Sequence, residues 1–186
     1  MKLSKNFFTN KATITLAYDL LWKVITKITP EWIISGVINE VEVYTQEDEA
    51  SHSYLWKKTS RNNVMFKDAW HIYVYFTYGM HYCMNIVTEK DWYGSAILIR
   101  SIIPYIWEKL MIKNRKFEGK NLKNLTNWPA KVCQAFWITK INNWINLLDK
   151  NSIIFLEDIW YKTPNINTWK RIWISKGLDK DWRFWF

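Results

Sequence analysis

The spacing of apolar residues divides the chain into a small set of elements. Over residues 12–27, Leu16, Leu20, Leu21, Val24 and Ile25 supply an apolar stripe, which predicts an amphipathic helix capped by Thr9 or Asn10. Over residues 33–44 the period shortens to two. Val37, Val41 and Val43 separate from Glu40, Glu42 and Tyr44, as in a half-buried strand. Residues 46–63 are polar and basic without a period, which predicts a long loop, bare or with one short helix. Residues 72–77 and 82–88 are β-rich runs on either side of Tyr78-Gly79-Met80-His81, the pattern of a hairpin. Residues 96–103 read as a buried strand ended by Pro104, residues 106–114 and 130–138 as helices, and 115–127 as a loop. Residues 153–156 and 170–175 read as short strands. No repeat or low-complexity tract interrupts this order. The expectation is an α+β fold, one mixed domain over residues 1–186 built on an antiparallel sheet.

Three segments of this layout can carry chemistry. The polar side of strand 33–44 presents Glu40, Glu42 and Tyr44. A carboxylate beside an aromatic wall in a cleft serves as a general base, although a solvated strand face is the commoner meaning of the pattern. At the hairpin tip, Tyr78 and Met80 are apolar groups where solvent is expected; such groups mark a contact surface unless the tip folds back. Tyr73, Tyr75 and Tyr82 in the same hairpin either stack on a base or pack. Residues 51–62 mix hydroxyls, His52 and the cations Lys57, Lys58 and Arg61, which suits phosphate contacts or a solvated loop. His52, His71 and His81 lack HxxxH or Cys/His spacing, so no metal is expected, and no P-loop or GxGxxG is present.

Charge narrows the partner. The formal net charge is +9 and the pI about 9.4, which favours nucleic acid, a membrane surface or an acidic protein. A membrane surface calls for a basic amphipathic helix, which the chain lacks. It also has no apolar run of ~18 residues, and its first ten residues lack the apolar core of a signal peptide. A cytoplasmic protein, with Cys83 and Cys133 as reduced packing residues, is expected. On a basic protein an exposed Tyr–Met tip suits a wedge between stacked bases.

Taken together, these segments resemble the alkyladenine (3-methyladenine) DNA glycosylase family. The matching stretches run in order along nearly the whole chain: Asn39-Glu40-Val41-Glu42-Val43-Tyr44, Asp48-Glu49-Ala50-Ser51-His52, Thr59-Ser60-Arg61-Asn62 and Met65-Phe66. They continue through Ile72-Tyr73-Val74-Tyr75-Phe76-Thr77-Tyr78-Gly79-Met80-His81-Tyr82-Cys83-Met84-Asn85-Ile86-Val87 and Ala96-Ile97-Leu98-Ile99-Arg100. Pro129-Ala130-Lys131-Val132-Cys133-Gln134-Ala135 and Trp182-Arg183-Phe184 complete them. The resemblance implies a curved antiparallel sheet flanked by helices. It implies that Glu42 is the general base for water and Arg100 an active-site cation. Tyr44, His52 and Tyr75 would wall the pocket for a flipped base, Asn85 would screen against a purine 2-amino group, and Tyr78, with Met80 beside it, would fill the gap in the duplex. Lys57, Lys58 and Arg61 would hold phosphates. The implied reaction is base-excision repair without metal or other cofactor: hydrolysis of the N-glycosidic bond of an alkylated or deaminated purine in double-stranded DNA, leaving an abasic site, by a monomer working at the nucleoid. The alternative is a catalytically silent nucleic-acid-binding module of the same fold.

One number departs from the ordinary. The chain has 14 Trp and only 5 Gly, against a usual Gly content of about 7%. Trp22, Trp32, Trp56, Trp70, Trp107, Trp128, Trp137 and Trp173 fall where relatives carry Gly, and Trp92, Trp144, Trp160 and Trp169 sit in turn-like contexts. Only Trp182 and Trp185 match tryptophans of the family's terminal motif. The twelve are expected to be glycine in the cell, through UGA codons, and most of their indoles to be exposed or strained rather than central in the core.

Overall fold

The computed structural model describes residues 1–160 and 165–186. In chain order its regular elements are α1 (Lys5–Phe8), α2 (Thr13–Leu20), β1 (Val24–Ile28), β2 (Ile33–Tyr44), β3 (Ile72–Thr77), β4 (His81–Val87) and β5 (Ala96–Ile106). There follow α3 (Glu108–Arg115), α4 (Pro129–Ala135), β6 (Ile154–Glu157), β7 (Asn167–Trp169) and β8 (Arg183–Trp185). The α+β expectation holds. All the strand pairs are antiparallel, in the order β3-β4-β5-β2-β1-β6, with β8 joining β2 and β7. The sheet curls into a half-barrel. Its long central strand β2 pairs with β5 along its length, with β1 near its start and with β8 at Glu40–Glu42. Leu16 and Leu20 of α2 and Val132 of α4 bury against Ile34, Ile38, Val41, Ile97 and Ile99 of the sheet. The opposite side, around Glu42 and Tyr75, is left for the site.

Beyond a register shift at Ser35–Gly36, two complementary irregularities interrupt β2–β5. Ile38 faces Ile102 but Glu40 faces Ser101, which leaves Asn39 as the extra residue on β2. Val41 then faces Ile99, which leaves Arg100 as the extra residue on β5. A bulge of this kind re-aims the side chain at the unpaired position, and here it turns Arg100 toward the carboxylates of β2.

Three sequence expectations are corrected. The helix predicted over 12–27 stops at Leu20, and Val24–Ile28 pair with β2 and β6. The β-branched Val24-Ile25-Thr26 favour the strand, and the chain reverses at Trp22, whose φ is 70°. The strand predicted to end at Pro104 runs on to Ile106. Pro104 opposes Gly36 next to a shift in register, where a missing N–H is tolerated. Residues 170–175 form no strand; the Arg171 side chain and the Ile172 N–H are used instead in the contacts described below.

The backbone carries a pattern that matches the tryptophan anomaly. Nine of the twelve flagged residues have positive φ: Trp22, Trp56, Trp70, Trp92, Trp107, Trp137, Trp144, Trp160 and Trp173, at 50° to 76°. Trp182 and Trp185 do not. Nine of the twelve indoles are exposed, while Trp70 is buried. Trp137 shows the cause. It follows α4, where its N–H donates to the Gln134 carbonyl and the Ile138 N–H donates to the Cys133 carbonyl. This is the Schellman helix end, whose left-handed residue is usually Gly. A left-handed residue with a Cβ costs about 1–2 kcal/mol. Nine together cost on the order of 10 kcal/mol, comparable with the whole net stability of a domain, about 5–15 kcal/mol.

Trp137→Gly should therefore raise stability by about 1 kcal/mol, or about 2–4 °C in Tm for a chain of this size. Trp169→Gly, on an exposed strand position without positive φ, should not. Thermal unfolding of the two variants checks this; equal shifts would contradict the backbone argument.

Candidate active site

β2, β5 and the loop before β8 converge on one carboxylate. Glu42 has no exposed surface. Its Oε2 accepts a hydrogen bond from the Tyr44 hydroxyl at 2.7 Å, and its Oε1 accepts from the Ile172 N–H at 2.8 Å. Arg100 Nη1 lies 3.1 Å from Oε1. A carboxylate out of water is costly unless it is paired and hydrogen-bonded, and these three donors supply both. Burial and the neighbouring Glu42 push the Tyr44 phenol well above its ordinary range, so it remains a donor.

Two further devices hold the donors. Glu40 Oε1 accepts from Arg100 Nε at 2.9 Å and from Arg183 Nε at 2.6 Å. Arg171 forms a buried ion pair with Asp48, Nη2 to Oδ1 at 2.9 Å. It also donates to the carbonyls of Val43 at 2.8 Å and Gly177 at 3.0 Å. This clamp fixes the loop whose next residue, Ile172, points its N–H at Glu42. Gly177 closes the clamp: its φ is 61°, and an added Cβ would lie 2.5 Å from Asp48 Oδ1.

Above the carboxylate is a cavity of about 240 Å³ lined by Glu42, Arg100, Tyr44, His52, Tyr75 and Asn85, with Tyr78 at its edge. The ring of His52 meets Tyr75 edge-on at 4.7 Å, and Tyr73 lies 5.4 Å from Tyr75. Asn85 is buried and its Nδ2 donates to the Tyr73 carbonyl at 3.2 Å. The His52 Nδ1 and the Tyr73 hydroxyl are 2.9 Å apart. Burial, with the Arg61 charge nearby, pushes His52 down to about 4, so its ring is neutral at physiological pH. Tyr78 is 72% exposed, in a turn where it and Gly79 both have positive φ.

The residues singled out in the sequence divide into two groups. Glu42, Arg100, Tyr44, His52, Tyr75, Asn85 and Tyr78 share the cavity. Met80 is 68% exposed on the same hairpin tip and borders a different hollow, with Cys133 and Trp137. Lys57, Lys58 and Arg61 are exposed and do not line the cavity. Lys58 Nζ sits 4.2 Å over the Trp92 ring. Arg61 donates to the Phe76 carbonyl at 3.1 Å and stacks 5.3 Å over Tyr75. Sequence reasoning gave no role to Asp48, Arg171 or Ile172, whose partners lie more than a hundred residues away. Among the described residues no group of three His, Cys, Asp or Glu could hold a metal ion.

The depressed His52 has a consequence for stability. Its ordinary value is 6.5. Between 6.5 and about 4 the unfolded chain takes up a proton that the folded chain refuses, so folding weakens as pH falls through that window. Urea unfolding at pH 7 and pH 4.5 should show a smaller loss for His52→Gln than for the parent. An equal loss in both would show that His52 titrates normally.

Comparison with known proteins agrees with the geometry. Residues 6–186 match the family model of methylpurine-DNA glycosylase. A protein of Alkaliphilus oremlandii is 37% identical, covering 99% of this chain and 95% of its own length. A Francisella tularensis protein is 42% identical over 92% of this chain and 89% of its own, and a Clostridium botulinum protein is 33% identical over 99% and 95%. All three are provisionally named 3-methyladenine DNA glycosylases. The chain belongs to the methylpurine-DNA glycosylase family.

Proposed function

We propose that this protein removes alkylated purines from double-stranded DNA, with Glu42 as the base that activates water. The observation that carries the reading is a fully buried carboxylate at the floor of an aromatic-walled cavity, with an exposed tyrosine at the edge. A base inside a duplex is out of reach, so it must be turned out of the stack at a cost of a few kcal/mol. Tyr78 fills the space it leaves, a role that its exposure at the hairpin tip beside the cavity supports. Tyr44, His52 and Tyr75 receive the extruded base, and their electron-rich faces suit the positive charge of an N3- or N7-alkylated purine. The neutral His52 adds no opposing charge. The Asn85 amide beside Tyr73 is the group that tests the purine edge for a 2-amino substituent.

The chemistry is one substitution at C1′. Glu42 takes a proton from water as the water oxygen bonds to C1′. The C1′–N bond breaks and its electron pair leaves with the purine, which an alkylated ring accepts readily because it is already cationic. Positive charge builds on the sugar, and the Glu42 carboxylate opposes it. Arg100 and the Ile172 N–H aim that carboxylate. Lys57, Lys58 and the remaining surface cations supply the salt-dependent hold on phosphate. Nothing in this scheme requires a second copy of the chain. Among the described residues no helix is long and apolar enough to cross a membrane. The silent binding module gains no support from a site whose carboxylate and donors are complete.

Glu42→Gln should keep its affinity for alkylated duplex and lose about 10²–10⁴-fold in single-turnover base release. Release within a few-fold of the parent would remove Glu42 from the role of base. Tyr78→Ser should lower the fluorescence gain of a 2-aminopurine placed beside the lesion about tenfold, because the wedge offsets the unstacking cost. An unchanged signal would exclude Tyr78 as the wedge.

A further inference from the structure

We infer that the nine tryptophans with positive φ are glycines in the protein its own cell makes, and that losing the indole at 173 opens the mouth of the base pocket. Two independent features of the backbone support the first part. Among the described residues Tyr78 is the only Phe or Tyr with positive φ, against nine of fourteen Trp. Aromatic side chains as a class therefore do not populate this region; beside the nine tryptophans and Tyr78 its non-Gly members are Asn10, Leu55, Glu89 and Lys116, one of each residue type. The positions are also the places where chain geometry asks for Gly. Trp22 and Trp137 follow helix ends. Trp56 and Trp92 sit at the third position of turns closed from Lys57 N–H to the Tyr54 carbonyl and from Tyr93 N–H to the Lys90 carbonyl. Drift would scatter tryptophans without regard to φ. A single codon read as Trp under one code and as Gly under another places them all at once, and UGA is such a codon.

Trp173 carries the consequence for the site. It follows Ile172, whose N–H holds Glu42, and its φ is 62°. Its indole is 74% exposed and meets the indole of Trp128 edge-on at 5.9 Å, both on the wall of the cavity. With Gly at 173 the loop keeps its backbone hydrogen bond and loses a ring that stands where an extruded nucleotide must pass. This second part rests on the glycosylase reading above; the first does not.

The gene and two recombinant proteins decide both parts. UGA codons at the nine positions support the inference, and UGG codons overturn it. The chain with all nine changed to Gly should melt more than about 10 °C above the chain as written; an equal or lower Tm overturns the first part. A chain with eight of the changes that keeps Trp173 should release base from alkylated duplex at least about tenfold more slowly than the nine-glycine chain. Equal release overturns the pocket part, and no release from either while Tm rises overturns the glycosylase reading instead.

A second inference comes from the bulge in β5. The structure assigns Glu40 as a positioning residue for Arg100. Arg100 is the unpaired residue of that strand, and Glu40 grips its Nε at 2.9 Å while Nη1 turns to Glu42 at 3.1 Å. Arg183 Nε on the same Glu40 oxygen, at 2.6 Å, fixes Glu40 from the other side. Neither Glu40 nor Arg183 lines the cavity. Glu40→Ala should slow single-turnover excision about tenfold with DNA affinity unchanged. In an Arg100→Ala background the same change should have no further effect, because a residue acting through another loses its influence when the other is gone. Full additivity of the two losses, or a loss confined to DNA affinity, overturns the assignment.

Discussion

The site is built around one buried carboxylate, which three donors hold in a fixed position. Glu42 lies beneath the cavity with no exposed surface, and each of its donors comes from a different part of the chain. Tyr44 is two residues along the same strand. Arg100 arrives through the bulge in β5. The Ile172 N–H arrives through the clamp between Arg171 and Asp48, 123 residues apart. A buried ion pair adds little net stability, but losing one partner costs about 3–5 kcal/mol, so this clamp holds a position rather than strengthening the fold. The curled sheet is what allows these segments to meet. β2 pairs with β5 on one side and with β8 on the other at the level of Glu42, and both neighbours bring arginines to the carboxylates.

Two kinds of aromatic residue share the molecule, and their surroundings tell them apart. Tyr44, Tyr73, Tyr75 and His52 are packed edge to face or hydrogen-bonded around the cavity, the arrangement expected of rings that form a binding wall. Most flagged tryptophans are exposed, on backbone that disfavours any Cβ. Aromatic content alone would have merged the two groups and overstated the binding surface.

Much of the fold was legible because it rests on local signals. The alternation Val37 to Tyr44 placed β2, and the Tyr-Gly-Met turn placed the β3–β4 hairpin within a residue. The helix over 12–27 was overextended because the apolar residues after Leu20 serve a strand as readily as a helix, and the left-handed break at Trp22 is hidden where Gly would have announced it. Of the seven residues that share the cavity, Glu42, Tyr44, His52, Tyr75 and Tyr78 stood out as candidates from the pattern, while Arg100 and Asn85, and the role of every one, came through a resemblance that covers the chain; periodicity alone reached only a basic domain with an aromatic face. Asp48, Arg171 and the Ile172 amide stayed invisible. Their roles arise from contacts across the chain, and a backbone N–H leaves no trace in residue identity.

The central claim is that a purine leaves the duplex and comes to rest over Glu42. A crystal structure of the full chain on duplex DNA containing a single ethenoadenine tests it most directly. The account predicts the modified base between Tyr44, His52 and Tyr75, its C1′ facing the Glu42 carboxylate and the Tyr78 ring in the vacated stack. A duplex bound with that base still stacked, or turned out into any other part of the surface, would contradict it.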